Sequence, residues 1–210
     1  MAGPDQDFWQ QRFESNQTPW DRQAANPQLA TWLQGGTIGV GTRVLVPGCG
    51  SGYELVQIAQ HGCEVIGVDY APAALARAAE QLQSLTPAQR ARVQLAQADV
   101  LHWRPDAPVD FIYEQTCLCA LHPDHWQTYA AQLQHWLLPG GRLLALFAQA
   151  PKPGAADGLI QGPPYHCDIN AMRALLAPPR WHWPKPPYAR VPHPMGMHEL
   201  ALVLDRADLD

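Results

Sequence analysis

Three glycines at alternate positions, Gly48, Gly50 and Gly52, follow an apolar run at 43–46 and precede a segment with helical periodicity. A turn of this kind lets backbone N–H groups approach a ligand closely, and the helix that follows presents its positive end to that ligand. Glycine-rich turns also follow strands for purely steric reasons. The turn by itself is therefore a weak indication of a ligand site.

Two acids stand where the next two apolar runs end. Asp69 follows the run at 63–68, and Asp99 follows the run at 93–98. Because neighbouring strand ends of a doubly wound sheet meet at one crevice, Asp69 could accept hydrogen bonds from both hydroxyls of a ribose. Asp99, in the same layer, could accept one from the amino group of an adenine ring. The alternatives are that Asp69 caps the next helix and that Asp99 is a solvated loop acid.

The residues after the glycines distinguish two kinds of nucleoside ligand. The dinucleotide fingerprint G-x-G-x-x-G requires a glycine where this chain has Tyr53. Glu54 would also place a carboxylate near the helix start, where it would repel a pyrophosphate. A nucleoside without phosphates fits this loop better, and S-adenosylmethionine is such a nucleoside. Glu54 or carbonyl groups of the loop could balance its methionine amino group.

Aromatic side chains of the N-terminal segment could cover a cationic ligand. Trp9, Phe13 and Trp20 could place ring faces against the sulfonium of S-adenosylmethionine and close the site against water. The alternative is that these rings pack an N-terminal helix onto the sheet. Packing is the preferred interpretation for Phe8, and for Trp20 the two roles weigh equally.

The elements that must position these residues alternate along the chain. Hydrophobic periodicity and turn residues predict helices at 5–14 and 27–33, at 53–60, from 72, from 86, at 124–137 and at 168–176. They predict strands at 43–46, 63–68, 93–98, 109–113, 142–147, near 181–183 and at 199–204. This order favours an α/β fold, a doubly wound, mostly parallel seven-stranded Rossmann-like sheet whose last strand is antiparallel.

Length and proline distribution predict the domain organisation. A chain of 210 residues is long enough for one core, and residues 1–210 are expected to form a single domain. Residues 1–36 are expected to form a helical lid. The proline-rich segment 150–195 is expected to be short of long helices and to cover the substrate.

Composition limits which binding partners and which cellular compartment are expected. The net charge is −5 and no Lys/Arg-rich run occurs, so neither nucleic acid nor a membrane surface is an expected partner. No apolar run is long enough to span a bilayer, and the N-terminus lacks the layout of a secretory signal. Five cysteines without zinc-type spacing indicate reduced thiols of a cytoplasmic protein and no metal site. A small-molecule substrate and a monomer are expected, with a dimer as the alternative.

Taken together, these motifs resemble a known family. FWQQRFESNQTPWD, VLVPGCGSGYE, VIGVDYAP, QADVL, FIYEQTCLCAL, LLPGGRLL and GPPY are similar to the motifs of the thiopurine, thiol and halide methyltransferases. The resemblance spans about Phe8 to Leu204 and implies a seven-stranded methyltransferase sheet with S-adenosylmethionine as cofactor.

The resemblance also implies roles for individual residues. Four residues would form the lid over the cofactor: Trp9, Phe13, Thr18 and Trp20. Gly48, Gly50 and their loop would bind the methionine part of the cofactor, and Asp69 would bind its ribose. Asp99 and Val100 would bind the adenine, and Gln115 would lie beside the cofactor and the substrate.

Two positions depart from the family pattern. Phe13 stands where the family usually has tryptophan, which keeps a ring face but removes an indole N–H. Gln115 stands where thiopurine enzymes carry arginine and halide enzymes tend to carry tyrosine. The identity of the acceptor, whether thiol, thiopurine, halide or chalcogen, therefore stays open.

The expected reaction is methyl transfer to a small soft nucleophile, with a thiol preferred. The donor is already activated, so the protein mainly supplies alignment and a dry pocket, and no catalytic triad is expected. The candidate proton acceptors are Tyr113, Glu114, His122 and His166, and the catalytic residue is left unassigned. Two alternatives remain, an NAD-dependent oxidoreductase on the same fold and a non-catalytic protein that binds S-adenosylmethionine.

Overall fold

A mixed sheet organises the chain in the computed structural model, which describes residues 3–154 and 159–208. The strands are β1 (Arg43–Pro47), β2 (Glu64–Asp69), β3 (Val93–Gln97), β4 (Val109–Gln115), β5 (Leu137–Gln149), β6 (Trp181–His182), β7 (Ala189–Pro192) and β8 (His198–Arg206). Their order is β3-β2-β1-β4-β5-β8-β6, and β7 also pairs with β8. Strands β1 to β5 are parallel, and β8 runs antiparallel to β5.

Helices cover the sheet on both faces. They are α1 (Gln6–Glu14), α2 (Pro27–Gln34), α3 (Tyr53–Gln60), α4 (Pro72–Gln81), α5 (Pro87–Arg90), α6 (Cys117–Ala120), α7 (Trp126–Trp136) and α8 (Ile169–Leu175). Successive residues of a strand are buried on opposite faces of the sheet. In β1, Leu45 belongs to one apolar core, and Val44 and Val46 belong to the other. This two-sided burial explains why the strands appear as continuous apolar runs.

The predicted fold class is confirmed, including the antiparallel last strand. The described residues form eight strands rather than seven. The additional strand, β7, has only four residues and lies in the proline-rich segment, where sequence patterns favour loops. The predicted closing pair is present, since Trp181 pairs with Arg206 in antiparallel register.

The end of α7 and the start of β5 differ from the prediction. Pro139, Gly140 and Gly141 were expected to terminate a helix before a strand at 142, but β5 already begins at Leu137. The residue before a proline favours extended backbone, and Gly140 has φ +73°, so the chain can pass through an irregular stretch of strand. Leu137 pairs in parallel with Val109, and the register of β4 and β5 shifts between Val109 and Phe111.

The domain prediction of residues 1–210 includes positions 1–2, 155–158 and 209–210, which lie outside the described residues. Within the described part, no helix combines the length and apolar character needed to cross a bilayer. Within residues 3–154 and 159–208, no group of three or more His, Cys, Asp or Glu side chains is placed so that it could hold a metal ion.

Candidate active site

A cavity of about 530 Å³ lies at the carboxyl ends of β1 to β4. The sheet order places the ends of β3, β2, β1 and β4 side by side, which is where ligands bind in doubly wound sheets. Three further stretches complete the walls, namely parts of the N-terminal segment at 8–24, residues 162–164 and residues 193–197. The N-terminal segment is held against α4 by α1, whose Gln10 accepts a hydrogen bond from the backbone N–H of Ala73 at 2.9 Å.

The glycine turn owes its residue types to backbone geometry. Gly48, Gly50 and Gly52 all have positive φ, between 51° and 79°. A Cβ at Gly52 would lie 2.8 Å from Cβ of Ala78, so glycine also allows α3 and α4 to pack closely. The turn therefore has a steric reason to be glycine-rich and still lies on the cavity wall.

Asp69 holds this turn in place. Its Oδ2 accepts a hydrogen bond from the N–H of Gly50 at 3.0 Å, and its Oδ1 accepts one from the N–H of Ala71 at 3.0 Å. The carboxyl group is 8% exposed, and burial raises its pKa. Asp69 thus fixes the turn between β2 and α4 and also faces the cavity, but it does not cap the helix, whose N-cap residue is Ala71 without a side-chain hydrogen bond.

Four carboxylates line one half of the cavity, which we call the acidic half: Asp21, Glu54, Asp69 and Asp99. Asp21 accepts a hydrogen bond from the Ser51 hydroxyl at 2.7 Å. Glu54 accepts one from the N–H of Asn26 at 3.0 Å, and burial raises its pKa. Such a wall suits a ligand with positive charges and no phosphates, and it would repel a pyrophosphate.

Three aromatic rings border the acidic half. The ring centroids of Trp9 and Trp20 are 5.4 Å apart and those of Phe13 and Trp20 are 6.0 Å apart, both in edge-to-face arrangement. Phe13 is 5% exposed and packs against Ala71 and Ala74. Phe13 therefore anchors the lid to α4, and its ring also lies 3.5 Å from the Cβ position of Gly50. The rings and carboxylates together fit a sulfonium nucleoside such as S-adenosylmethionine.

Nine of the ten residues singled out from the sequence line this cavity: Trp9, Phe13, Trp20, Gly48, Gly50, Asp69, Asp99, Val100 and Gln115. Thr18 instead lines a neighbouring polar pocket that it shares with Ser51 and Tyr53. Its role as a cofactor contact stays a prediction. Phe8, for which packing was preferred, also lines the cavity.

The candidate proton acceptors are dispersed. Tyr113 lines the cavity, where its hydroxyl donates to Oε1 of Gln115 at 2.8 Å, and burial raises its pKa well above the usual value. Glu114 points away into the core and accepts hydrogen bonds from the N–H of Leu118 and the hydroxyl of Tyr129. Burial raises the pKa of Glu114 to about 7.

The two candidate histidines lie outside the cavity lining. Nδ1 of His122 accepts a hydrogen bond from the N–H of Asp124 at 3.3 Å. Nδ1 of His166 accepts one from the N–H of Ala150 at 3.1 Å. Both nitrogens therefore serve local backbone structure.

The sequence interpretation missed Arg22, Glu199 and His193. Arg22 and His193 line the other half of the cavity, which we call the basic half and which also includes Gln115 and residues 119–121, 162–164, 195 and 197. Arg22 pairs with the buried Glu199, and such a contact between distant parts of the chain leaves no local pattern in the sequence.

Two solved structures share the fold of this chain. The 1,6-didemethyltoxoflavin-N1-methyltransferase of Burkholderia thailandensis, crystallised with S-adenosylhomocysteine, aligns over 97% of this chain and 87% of its own with a TM-score of 0.75 and 22% identity. N-methyltransferase NodS of Bradyrhizobium japonicum aligns over 97% and 99% with a TM-score of 0.72 and 18% identity. This chain therefore has the fold of these two methyltransferases.

The family follows from sequence relatives. The thiopurine S-methyltransferase family model matches residues 4–185. Thiocyanate methyltransferase 1 of Arabidopsis thaliana is 31% identical over 170 residues, 81% of this chain and 71% of the relative. A thiopurine S-methyltransferase of Vibrio parahaemolyticus is 30% identical over 183 residues, 82% of each chain. The chain belongs to the thiopurine S-methyltransferase family and is an S-adenosylmethionine-dependent methyltransferase, so the oxidoreductase alternative is not favoured.

Proposed function

We propose that this enzyme transfers the methyl group of S-adenosylmethionine to the sulfur of a small thiol or thiolate-like acceptor. The carrying observation is one cavity whose lining combines four carboxylates and aromatic rings, our acidic half, with Arg22 and His193, our basic half. The acidic half suits the cationic donor, and the basic half suits an electron-rich acceptor. Relatives named thiol, thiocyanate and thiopurine methyltransferases support a soft sulfur atom as the acceptor.

Residue roles in the acidic half follow from its geometry. The loop at Gly48 and Gly50 would hold the methionine part, whose amino group Glu54 would balance. Asp69 would accept hydrogen bonds from the ribose hydroxyls with the lone pairs that Gly50 and Ala71 leave free. Asp99 would accept one from the adenine amino group, because only one of its oxygens receives a backbone N–H, that of Leu101 at 2.9 Å.

Val100, Gln115 and the lid complete the proposed site. Val100 is 8% exposed and would support the adenine ring by packing. Trp9, Phe13 and Trp20 would cover the sulfonium and exclude water, with Thr18 at the outer edge of the lid. Gln115 stands at the end of β4, in the basic half, where its Oε1 accepts a hydrogen bond from the Tyr113 hydroxyl.

The bound cofactor supplies a methyl group already activated by a positive sulfur. What the chain adds is alignment, because the two halves hold donor and acceptor in one enclosed space. The acceptor's lone pair forms the new bond to the methyl carbon while the bond from that carbon to the cofactor sulfur breaks. A thiolate is a strong nucleophile at neutral pH, so this step needs no catalytic base of the protein.

The size of the cavity favours a small-molecule acceptor. About 530 Å³ must accommodate the nucleoside as well, which leaves limited space in the basic half. The net charge of −5 argues against a nucleic acid as substrate.

We propose that the chain is one domain that acts as a monomer, with residues 1–36 as the lid and residues 150–195 as the cover of the substrate. The cytoplasm is the proposed compartment, since none of the five cysteines forms a disulfide.

A methyl-transfer screen with radiolabelled S-adenosylmethionine tests the proposal. The panel comprises thiocyanate, an aromatic thiol, a thiopurine, iodide, selenite and a primary amine. We expect labelled product from sulfur acceptors and little or none from the amine. Tight binding of S-adenosylhomocysteine without turnover of any acceptor would favour the non-catalytic alternative.

A further inference from the structure

A hydrogen bond joins the T-P-W-D stretch of the N-terminal segment to the glycine turn. The hydroxyl of Ser51 donates to Oδ2 of Asp21 at 2.7 Å. Ser51 is 8% exposed and lies between Gly50 and Gly52, two glycines of positive φ. Both side chains line the cavity, but neither is among the residues assigned to a part of the cofactor. The bond therefore needs an explanation other than direct contact with the cofactor.

The backbone around Asp21 forms a tight turn that presents its carboxylate. The N–H of Asp21 donates to the carbonyl of Thr18 at 2.9 Å, and Pro19 occupies the second position of this turn, where proline is favoured. Oδ1 of Asp21 accepts a hydrogen bond from the N–H of Gln23 at 2.6 Å, a local bond that is common for aspartate in turns. One carboxylate oxygen thus fixes the turn, and the other is free to bond Ser51.

The glycine turn fixes the hydroxyl on the other side of the bond. The N–H of Gly52 donates to the carbonyl of Cys49 at 3.0 Å, and the N–H of Gly50 donates to Asp69 at 3.0 Å. Because these bonds hold the residues on both sides of Ser51, its hydroxyl has a defined position. The donor and the acceptor are therefore each held by their own turn.

Residues 17–21 depend on this bond for their attachment to the glycine turn. In the described part of the chain, their remaining hydrogen bonds stay within residues 12–23. The ring of Trp20 packs edge-to-face against Trp9 and Phe13, but these two rings belong to α1 of the same lid. The hydroxyl-to-carboxylate bond is therefore the polar link that fixes Trp20 relative to the glycine turn.

The same bond lies in the wall between two cavities. Pro19, Asp21, Ser51 and Tyr53 line both the candidate active site and the neighbouring polar pocket of about 520 Å³. The methionine part of the cofactor, which the glycine turn would hold, would lie against this wall. Loss of the bond would open the active-site cavity into the polar pocket at the most polar end of the cofactor.

We propose that Asp21 and Ser51 are positioning residues, whose hydrogen bond holds Trp20 over the cofactor and closes the cavity toward the polar pocket. The inference rests on the proposed placement of the cofactor beneath the lid. A hydrogen bond from a hydroxyl to a carboxylate is of the stronger kind, so it can hold a short segment in place. Without it, residues 17–21 move away from the glycine turn more often, and the bound cofactor leaves faster.

Surface plasmon resonance on the immobilised protein measures how fast S-adenosylhomocysteine dissociates. Ser51→Ala removes the donor and leaves the turn at Asp21 intact, so we expect dissociation about 5- to 30-fold faster than from the wild type. Asp21→Asn can still bond to both Ser51 and Gln23, and its rate should stay within about threefold of the wild type. The control is Ser15→Ala, which removes a bond within the lid, to the carbonyl of Gln11 at 2.6 Å, and should leave the rate unchanged.

A double-mutant cycle shows whether the two side chains act through each other. Asp21→Ala lacks the acceptor, so adding Ser51→Ala to it should change the dissociation rate by less than about twofold. Full and independent effects of the two substitutions would contradict the proposal. Thermal unfolding of the free variants checks that they are folded. A merely structural role would lower the Tm and leave the dissociation rate of the folded protein unchanged.

The possible failures have different signatures. Wild-type dissociation from Ser51→Ala would overturn the positioning role and leave the methyltransferase reaction intact. Absence of S-adenosylhomocysteine binding by the wild type would overturn the placement of the cofactor and the positioning role with it. If Asp21→Asn released the ligand as fast as Asp21→Ala while Ser51→Ala matched the wild type, Asp21 would act on the ligand by its charge, which would also contradict the proposal.

Discussion

Arg22 and Glu199 are 177 positions apart and form an ion pair, with Nη2 of Arg22 3.3 Å from Oε2 of Glu199. The same carboxylate accepts hydrogen bonds from Asn26 at 2.9 Å and from Gln115 at 3.4 Å. This cluster ties the N-terminal segment to the last strand and to the end of β4. The lid is therefore positioned by the sheet it covers, and the charge of Arg22 at the cavity depends on the state of Glu199.

Glu199→Gln should strengthen anion binding in a pH-dependent way. Burial raises the pKa of Glu199 to about 7, so its carboxyl group is mostly ionised near pH 8 and mostly protonated near pH 5.5. At about pH 8 the variant leaves Arg22 uncompensated, and thiocyanate should bind about 3- to 10-fold more tightly than to the wild type. At about pH 5.5 the two proteins should differ by less than about twofold, because the wild-type carboxyl group is already neutral.

Calorimetry at both pH values measures this ratio. The other titratable groups that interact with the cluster include His193, Glu54, Tyr113 and Glu114, and the pKa of Glu114 is also about 7. They are present in both proteins, so the ratio isolates Glu199. A ratio that does not change with pH would show that Glu199 does not control the charge at the basic half.

Asp69→Ala should weaken cofactor binding. The variant loses the proposed charged hydrogen bonds to the ribose and the two bonds that hold Gly50 and Ala71. We expect a loss of about 1–3 kcal/mol in binding S-adenosylhomocysteine, measured by calorimetry. Asp205→Asn, an exposed acid of β8 that pairs with Arg142, is the control and should bind normally. Unchanged affinity in Asp69→Ala would remove the ribose assignment.

Gly52→Ala should destabilise the fold more than a matched substitution elsewhere. Gly52 and Gly140 have similar φ values of +79° and +73°, but a Cβ at Gly52 would lie 2.8 Å from Ala78, whereas nothing lies within 4 Å at Gly140. We expect the free energy of unfolding to fall by about 1–2 kcal/mol in Gly140→Ala and by about 2–4 kcal/mol in Gly52→Ala. Urea unfolding gives both values, and equal losses would contradict the close approach of α3 and α4.

Glu114→Gln should change how stability depends on pH. The pKa of Glu114 is about 7 in the folded protein because of burial, above its ordinary value of 4.5. Its contribution to the free energy of unfolding is therefore fully present below pH 4.5 and is lost as the pH rises through 7. Relative to the wild type, the variant should gain up to about 3 kcal/mol between about pH 5 and pH 8.

Thermal and urea unfolding across this pH range measure the difference between the two proteins. The amide retains the shape of the side chain and can still bond to Leu118 and Tyr129, which are the partners of the carboxyl group. A constant difference at all pH values would mean that Glu114 does not titrate in this range.

Local pattern was enough to predict the sheet and the acidic half of the cavity. Apolar runs that end at Gly48, Asp69 and Asp99 identify neighbouring strand ends, since parallel strands place those ends together whatever the loops do. The four-residue β7 was missed because proline dominates its surroundings and its pairing with β8 is nonlocal. The start of β5 was misplaced because a proline and two glycines ordinarily end elements.

The basic half could not be predicted in the same way. Arg22 and His193 owe their places to bonds with Glu199, Pro192 and Met195, and the sequence does not show which of the nine histidines turns inward. The position of Glu114 could not be predicted either. As an acid at a strand end it was a reasonable candidate base, but strand alternation directs it into the core beside Tyr129.

A crystal structure of the complex with S-adenosylhomocysteine and thiocyanate tests the central claim most directly. We predict the ribose hydroxyls within hydrogen-bond distance of Asp69, the adenine beside Asp99 and Val100, and the cofactor sulfur under Trp9 and Trp20. An adenosine bound outside this cavity, or lid tryptophans without contact to any ligand, would contradict the account.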